Sequence, residues 1–300
     1  MNAMTDTSPG FPPVPGADAL LAHYARNGYV VIPGLLDAEE TQALRALTDR
    51  VEASAVGLTE GNAVFDFEDG HIPEVPRIQR IKKPNRIDPL YRALAAHPRI
   101  LSLVSALIGP NIRLNHSKIN MKTAQVGAAL EWHQDWAFAP HTNMSTCVVS
   151  VMIDACMEQN GPVLVVPGTH QGRLLEHHAD GRFVGAVVDD GLPMPDYALA
   201  EALLGPAGSV AIHHPLVVHG SAANRSGAPR RILFLEYAAS DAFPLFYHVD
   251  WEEYDSRIVS GPPTSLARLE PVHVKLPFPN HTSGSIFKTQ SALGARYFAG

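Results

Sequence analysis

Hydrophobic and polar positions alternate along this chain in two regimes, a helix-rich first third and a strand-rich remainder. Leu20, Leu21 and Tyr24 make one apolar helical face that Gly28 ends. Tyr29 to Leu36 is rich in β-formers, and Asp37 with Glu40 forms a capping-box pattern that opens a helix carrying Leu44, Leu47 and Val51. Asp88-Pro89 and His97-Pro98 each place proline at a first helical position, and Gly109-Pro110 stops the second of these helices. Beyond it, segments 111–122, 129–136, 146–153, 162–166, 182–188, 208–213, 216–221 and 230–238 are short, rich in Val, Ile and Leu, and separated by Asn-Gly, Pro-Gly or Gly-Pro. About eight such strands after a helical start predict a mainly β fold with flanking helices, a double-sheet jelly roll or double-stranded β-helix.

Two stretches escape this pattern. Residues 55–87 mix acids (Asp66, Glu68, Asp69) with a basic run (Arg77, Arg80, Lys82, Lys83, Arg86) and lack periodicity, so they read as an irregular loop that either covers a site or, the more favoured reading, is solvated; the basic run could contact a phosphate, a CoA or a carboxylate, or do nothing. The tail from Trp251 to Gly300, with Pro262, Pro263, Pro271, Pro277 and Pro279, reads as loop that could fold over the barrel mouth. With no internal repeat and no sign of a second domain, 17–300 is expected to be one catalytic domain behind a disordered leader, 1–16, that has neither the charge nor the apolar run of a signal peptide.

Composition narrows the function classes. Of 300 residues, 46% are hydrophobic and 18% charged, enough to bury a core, while 23 basic against 30 acidic residues give −7, which argues against nucleic acid or an anionic membrane as partner. The longest apolar runs, 100–108 and 148–153, fall far short of the ~20 residues of a membrane span. Two cysteines, Cys147 and Cys156, provide no disulfide framework, so reduced thiols and a cytoplasmic location are expected. Fifteen histidines justify a search for metal spacing.

Within Glu131-Trp132-His133-Gln134-Asp135-Trp136, strand alternation would project His133 and Asp135 from one face. A third imidazole, His219, ends an apolar run just before Gly220-Ser221, where a strand would open at the barrel mouth. Two histidines and a carboxylate occupy one face of an octahedron, the arrangement of non-haem Fe(II) oxygenases, although zinc hydrolases use the same donors. His213 and His214 read as hydrogen-bonded strand histidines. An iron oxygenase of this kind needs an electron source such as 2-oxoglutarate, whose distal carboxylate calls for a planar cation; Arg230 or Arg231 opens the last strand, only one of the two can point inward, and Ser221 could add a hydroxyl.

The series Trp132-His133-Gln134-Asp135, Asn160-Gly161-Pro162, Val166-Pro167-Gly168-Thr169-His170 and His214-Pro215-Leu216-Val217-Val218-His219-Gly220-Ser221, with Asn224 and Arg230, resembles the phytanoyl-CoA dioxygenase family over about residues 20–245. That resemblance implies a double-stranded β-helix, Fe(II) as cofactor, and 2-oxoglutarate and O2 as cosubstrates. It implies His133, Asp135 and His219 as iron ligands and Arg230 as the 2-oxoglutarate anchor. Ser117 to Lys122 is similar to a strand of the ectoine hydroxylase branch, which implies that Asn120 and Lys122 lie near the cosubstrate. His116 shares their strand parity and is a candidate for substrate contact, and Trp136 and Phe138 are candidates to line the pocket. The family's halogenating members lack the carboxylate, so Asp135 favours hydroxylation; Asn160-Gly161 and Pro167-Gly168 are read as turns with no catalytic role. The expected reaction is hydroxylation of an unactivated C–H bond of a small polar or amphipathic metabolite, with release of succinate and CO2. The alternatives are a metal-dependent hydrolase and a non-catalytic jelly-roll binding module.

Overall fold

The computed structural model describes residues 10–246, 249–279, 285–291 and 293–298. In chain order the helices are α1 Ala17–Asn27, α2 Ala38–Ala53, α3 Pro89–Ala95, α4 Pro98–Ile108, α5 Trp251–Asp255 and α6 Ile286–Gln290. The strands are β1 Tyr29–Ile32, β2 Phe65–Phe67, β3 Ile78–Lys82, β4 Ile112–Lys122, β5 Leu130–His133, β6 Thr146–Met152 and β7 Leu164–Val166. They continue with β8 Glu176–Ala179, β9 Arg182–Val188, β10 Glu201–Ala202, β11 Val210–His213, β12 Val218–Ser221, β13 Arg230–Ala239 and β14 Ile258–Ser260.

The helix boundaries follow their caps. Gly28, at φ 79°, closes α1 by returning its amide to Tyr24 O, and Asp37 and Glu40 complete a reciprocal capping box on α2. Asp88 caps α3 through the Leu90 amide, and α4 ends at Gly109.

Two antiparallel sheets face each other. The large one runs β1-β11-β6-β13-β4-β3-β2, with β14 added against β4, and the small one runs β10-β7-β12-β5; β8 and β9 form a separate hairpin. Alternation sorts the side chains. Odd positions of β13 and β6, such as Leu233, Leu235, Val149 and Val151, join Leu44, Leu47, Ile100 and Val104 in the core beneath the helices. Even positions, Ile232, Phe234, Val148 and Met152, meet Val163, Val165 and Val217 between the sheets. This is the jelly roll expected, and each of the eight expected segments contains a strand.

Several expectations need correction. Residues 55–87 are loop only in part: β2 and β3 extend the large sheet, with Arg80, Ile81 and Lys82 opposite Asn120, Ile119 and Lys118 of β4. Their periodicity is concealed because Ile78 and Ile81 are the buried anchors of a strand whose other face is charged and looks inward. The strand carrying the metal motif stops at His133, and Asp135 begins a 3-10 turn, Asp135–Ala137, so its placement does not come from simple alternation. The tail contributes α5, β14 and α6 as well as loop, and Ile286 and Phe287 line the cavity described below. Residues 1–9 of the expected leader lie outside the described residues; Phe11 and Val14, just beyond, pack on the core. Cys147 and Cys156 are both buried and free. Among the described residues no helix is long and apolar enough to cross a membrane.

Candidate active site

The small sheet positions two imidazoles side by side. β5 and β12 pair antiparallel with His219 opposite His133, and their ring centroids are 4.0 Å apart. Each ring is oriented through its second nitrogen: His133 Nδ1 donates to Glu131 O at 2.8 Å and His219 Nδ1 to Val217 O at 3.0 Å. Both Nε2 lone pairs are thereby left for the cavity. Asp135 completes the group, its Oδ1 3.7 Å from His133 Nε2 and its Oδ2 3.7 Å from His219 Nε2. One donor atom from each of the three residues lies within 4.8 Å of the others, a spread one cation can close.

The turn that carries Asp135 is locked from three sides. The Gln134 side chain donates to Leu216 O at 2.8 Å and accepts the Leu175 amide at 2.8 Å, and its backbone amide donates to His177 Nε2 at 3.0 Å. His213, at the end of β11, donates from Nε2 to Asp135 Oδ2 at 3.0 Å, and His214 Nδ1 accepts the Leu216 amide at 3.1 Å, so both are the hydrogen-bonded histidines expected. Burial, then the His219 charge, holds the His133 imidazolium well below its usual range, and burial holds His219 down to about 4. Burial opposes ionisation of Asp135, but the surrounding imidazoles, His219 foremost, keep its carboxyl well below the usual range. Neutral imidazoles and an ionised carboxylate are the protonation states a divalent metal requires.

These residues open on a cavity of about 700 Å³ between the sheets. At its deep end two buried cations face each other across the β13–β4 register, Arg230 opposite Lys122. Arg230 Nη2 donates to Gly161 O at 2.6 Å, while its Nε and the neighbouring Asn120 Oδ1 have no hydrogen-bond partner among the described residues. Lys122 Nζ donates to Ser221 O at 3.3 Å and to Ala222 O, and burial, reinforced by the Arg230 charge, pushes its ammonium well below the usual range. Desolvated cations of like sign with unused donors are costly unless an anion sits between them. Arg231 is the outward one of the pair, held by Asp154, Asp49 and Glu52.

Ser221, Asn120, Lys122 and His116 all line the cavity, as does Phe138, whose ring meets His133 edge-on at 5.8 Å. Trp136 does not; it is buried with its indole N–H on His273 O, a packing role that corrects its candidacy. Sequence pattern gives no sign of the Lys118–Glu236 ion pair, 2.9 Å, on the same wall, though the shared parity of His116, Lys118, Asn120 and Lys122 on one long strand would have located Lys118. Gly161 does form a turn, at φ 72°, but it also supports the deep cations: a Cβ there would lie 2.6 Å from Ala222 O and 2.9 Å from Lys122 Cδ.

The phytanoyl-CoA dioxygenase (PhyH) family model matches residues 24–232. The chain is 34% identical over 282 residues to a probable alpha-ketoglutarate-dependent hypophosphite dioxygenase of Stutzerimonas stutzeri, covering 92% of this chain and 97% of that protein. It is 25% identical to the L-proline trans-4-hydroxylase of Streptomyces griseoviridis, over 71% of this chain and 83% of that one. Among solved structures, EctD from S. alaskensis with 2-oxoglutarate and 5-hydroxyectoine superposes with a TM-score of 0.65 at 22% identity, covering 89% of this chain and 93% of that one, which shows the shared fold. The chain belongs to the phytanoyl-CoA dioxygenase family. It is an iron- and 2-oxoglutarate-dependent dioxygenase, and neither the hydrolase nor the binding module describes it.

Proposed function

We propose that His133, Asp135 and His219 hold Fe(II), and that Arg230 and Lys122, aided by Asn120 and Ser221, bind 2-oxoglutarate by its distal carboxylate. The observation that carries this reading is the pairing of an open two-imidazole, one-carboxylate set with a buried cation pair whose Arg230 Nε lacks an acceptor among the described residues. The donor set fits the metal: both histidines already commit Nδ1 to backbone carbonyls and present Nε2.

When bound, iron with the keto acid supplies the oxidising power to insert one atom of O2 into an X–H bond of a small metabolite while the other enters succinate as CO2 leaves. The protein's own residues supply orientation and exclusion of water. His213 fixes which way the Asp135 carboxylate faces, Gln134 holds the turn beneath it, and Phe138 with Phe234 provides apolar walls. Arg230 and Lys122 neutralise one end of the cosubstrate in a dry pocket, where charge-assisted hydrogen bonds count most. A cytoplasmic location is the reading that the two free, buried thiols support.

The test is an anaerobic titration of the full chain with Fe(II) and then 2-oxoglutarate, following the weak visible charge-transfer band of a chelated keto acid. The wild type should show the band. Arg230→Gln should bind Fe(II) normally yet need roughly 10- to 150-fold more 2-oxoglutarate, the equivalent of about 1.5–3 kcal/mol for one charged hydrogen bond. A band of unchanged midpoint in that variant removes Arg230 from the cosubstrate site.

A further inference from the structure

The deep cations account for one anion, yet the cavity has a second positive end. Arg80 and Lys82, from β3, share the single carboxylate of Asp66, at 2.6 Å and 2.9 Å. Arg86 and Arg257 share the single carboxylate of Glu253. Lys83 has no acidic partner among the described residues. Two acids therefore meet five cations, all of which line the cavity, and the excess charge is concentrated at Lys83, Arg86 and Arg257.

This rim is held in place by the backbone of β4. The Lys83 amide donates to Ser117 O at 3.1 Å, and Arg257 Nη1 donates to Asn115 O at 3.1 Å. Lys122 lies at the other end of that strand, opposite Arg230. At ~3.3 Å per residue, Ser117 and Lys122 stand roughly 16 Å apart along β4. A five-carbon diacid extends only about 5 Å between its terminal carbons, so a 2-oxoglutarate anchored at Lys122 and Arg230 leaves most of that length unfilled. Between them Lys118 is neutralised by Glu236. The crowding is visible in Lys83 itself: burial, then the charges of Arg86 and Arg257, push its ammonium below the usual range.

We propose that Lys83, Arg86 and Arg257 bind the anionic group of the substrate, a small carboxylic or phosphorus oxyacid, and so present its X–H bond to the metal. The proposal rests on the cosubstrate reading above for the identity of the deep anion. The reaction balances as X–H, O2 and 2-oxoglutarate giving X–OH, succinate and CO2. The basic run, whose role the sequence leaves open, contributes Lys83 and Arg86 to the specificity element of the site.

The experiment uses the full chain loaded anaerobically with Fe(II) and 2-oxoglutarate. Butyrate, methylphosphonate and hypophosphite are titrated by calorimetry and by their perturbation of the charge-transfer band, beside the uncharged butyramide and dimethyl methylphosphonate. At least one anion should bind, the neutral compounds should fail at tenfold higher concentration, and the preferred anion separates the carboxylic from the phosphorus class. Lys83→Gln and Arg257→Gln should each weaken that anion at least tenfold, Lys83→Arg should restore it, and the 2-oxoglutarate midpoint should stay within twofold of wild type. Lys83 is solvent-exposed, so its variants should fold, and an unchanged melting temperature verifies this. Equal binding of the neutral compounds, no binding of any anion, or wild-type affinity in the glutamine variants overturns the proposal. Should the wild type lack the 2-oxoglutarate band, the cosubstrate reading fails, and anion calorimetry on the metal-free protein still decides the role of the rim.

Discussion

Replacing Gly161 by alanine separates the cosubstrate site from the metal site. At φ 72° an alanine costs about 1–2 kcal/mol in backbone conformation alone. Its Cβ would also sit 2.6 Å from Ala222 O and 2.9 Å from Lys122 Cδ, and relieving such overlap costs about 1–3 kcal/mol more. The collision bears on both deep cations together, because Gly161 O is the acceptor for Arg230 and Ala222 O is an acceptor for Lys122. If about half of the overlap, ~0.5–1.5 kcal/mol, is taken up by turning the cations away, 2-oxoglutarate affinity falls by roughly 2- to 12-fold. Gly181→Ala is the control: its φ is 71°, but nothing among the described residues lies within 4 Å of a Cβ there. The assay is the anaerobic Fe(II) and 2-oxoglutarate titration with a melting curve for each variant. Both should lose stability through φ, and Gly161→Ala alone should lose 2-oxoglutarate affinity while its Fe(II) affinity is kept. A wild-type 2-oxoglutarate midpoint in Gly161→Ala would refute the coupling of this turn to the cation pair.

Asp135→Ala should keep the fold and lose Fe(II) affinity by more than about 100-fold, since it removes a ligand and its negative charge; metal titration with circular dichroism checks both. His213→Phe leaves all three ligands in place but frees the carboxylate, so Fe(II) affinity should drop by roughly 10- to 100-fold; unchanged affinity would mean Asp135 is held by its turn alone. Burial holds His116, His141, His177, His214 and His219 at about 4 in the folded protein, against about 6.5 when unfolded. Between those values the unfolded chain binds more protons, so the stabilising effect of neutral imidazoles is complete above pH 6.5 and is lost as pH falls toward 4. Urea midpoints of the metal-free protein should drop steeply from pH 7.5 to 5, whereas a flat profile would show that these rings are hydrated.

What the sequence makes legible depends on whether a signal is local. Caps such as Asp37 with Glu40, Gly28 and Gly109 act within a few residues and place helices α1 to α4 closely. His133, Asp135 and His219 are legible as a motif, although Asp135 reaches the metal set through a turn and not through strand alternation. The choice between Arg230 and Arg231 required the partners: Arg231 turns toward Asp49, Glu52 and Asp154 on other elements, which no local pattern records. β3 was hidden for a related reason. A strand whose inward face is charged breaks the rule that inward means apolar, because the interior it faces is a binding cavity.

The pairing of β5 with β12 brings together ligands from distant parts of the chain, with His133 and Asp135 in one segment and His219 on a strand formed much later. During synthesis the first two emerge as an incomplete pair, and the third becomes their neighbour only when the small sheet assembles. A half-made chain thus offers iron at most a weak two-donor grip, and tight capture waits for a barrel already able to shield what the metal does. Chain connectivity itself delays the reactive centre until its container exists.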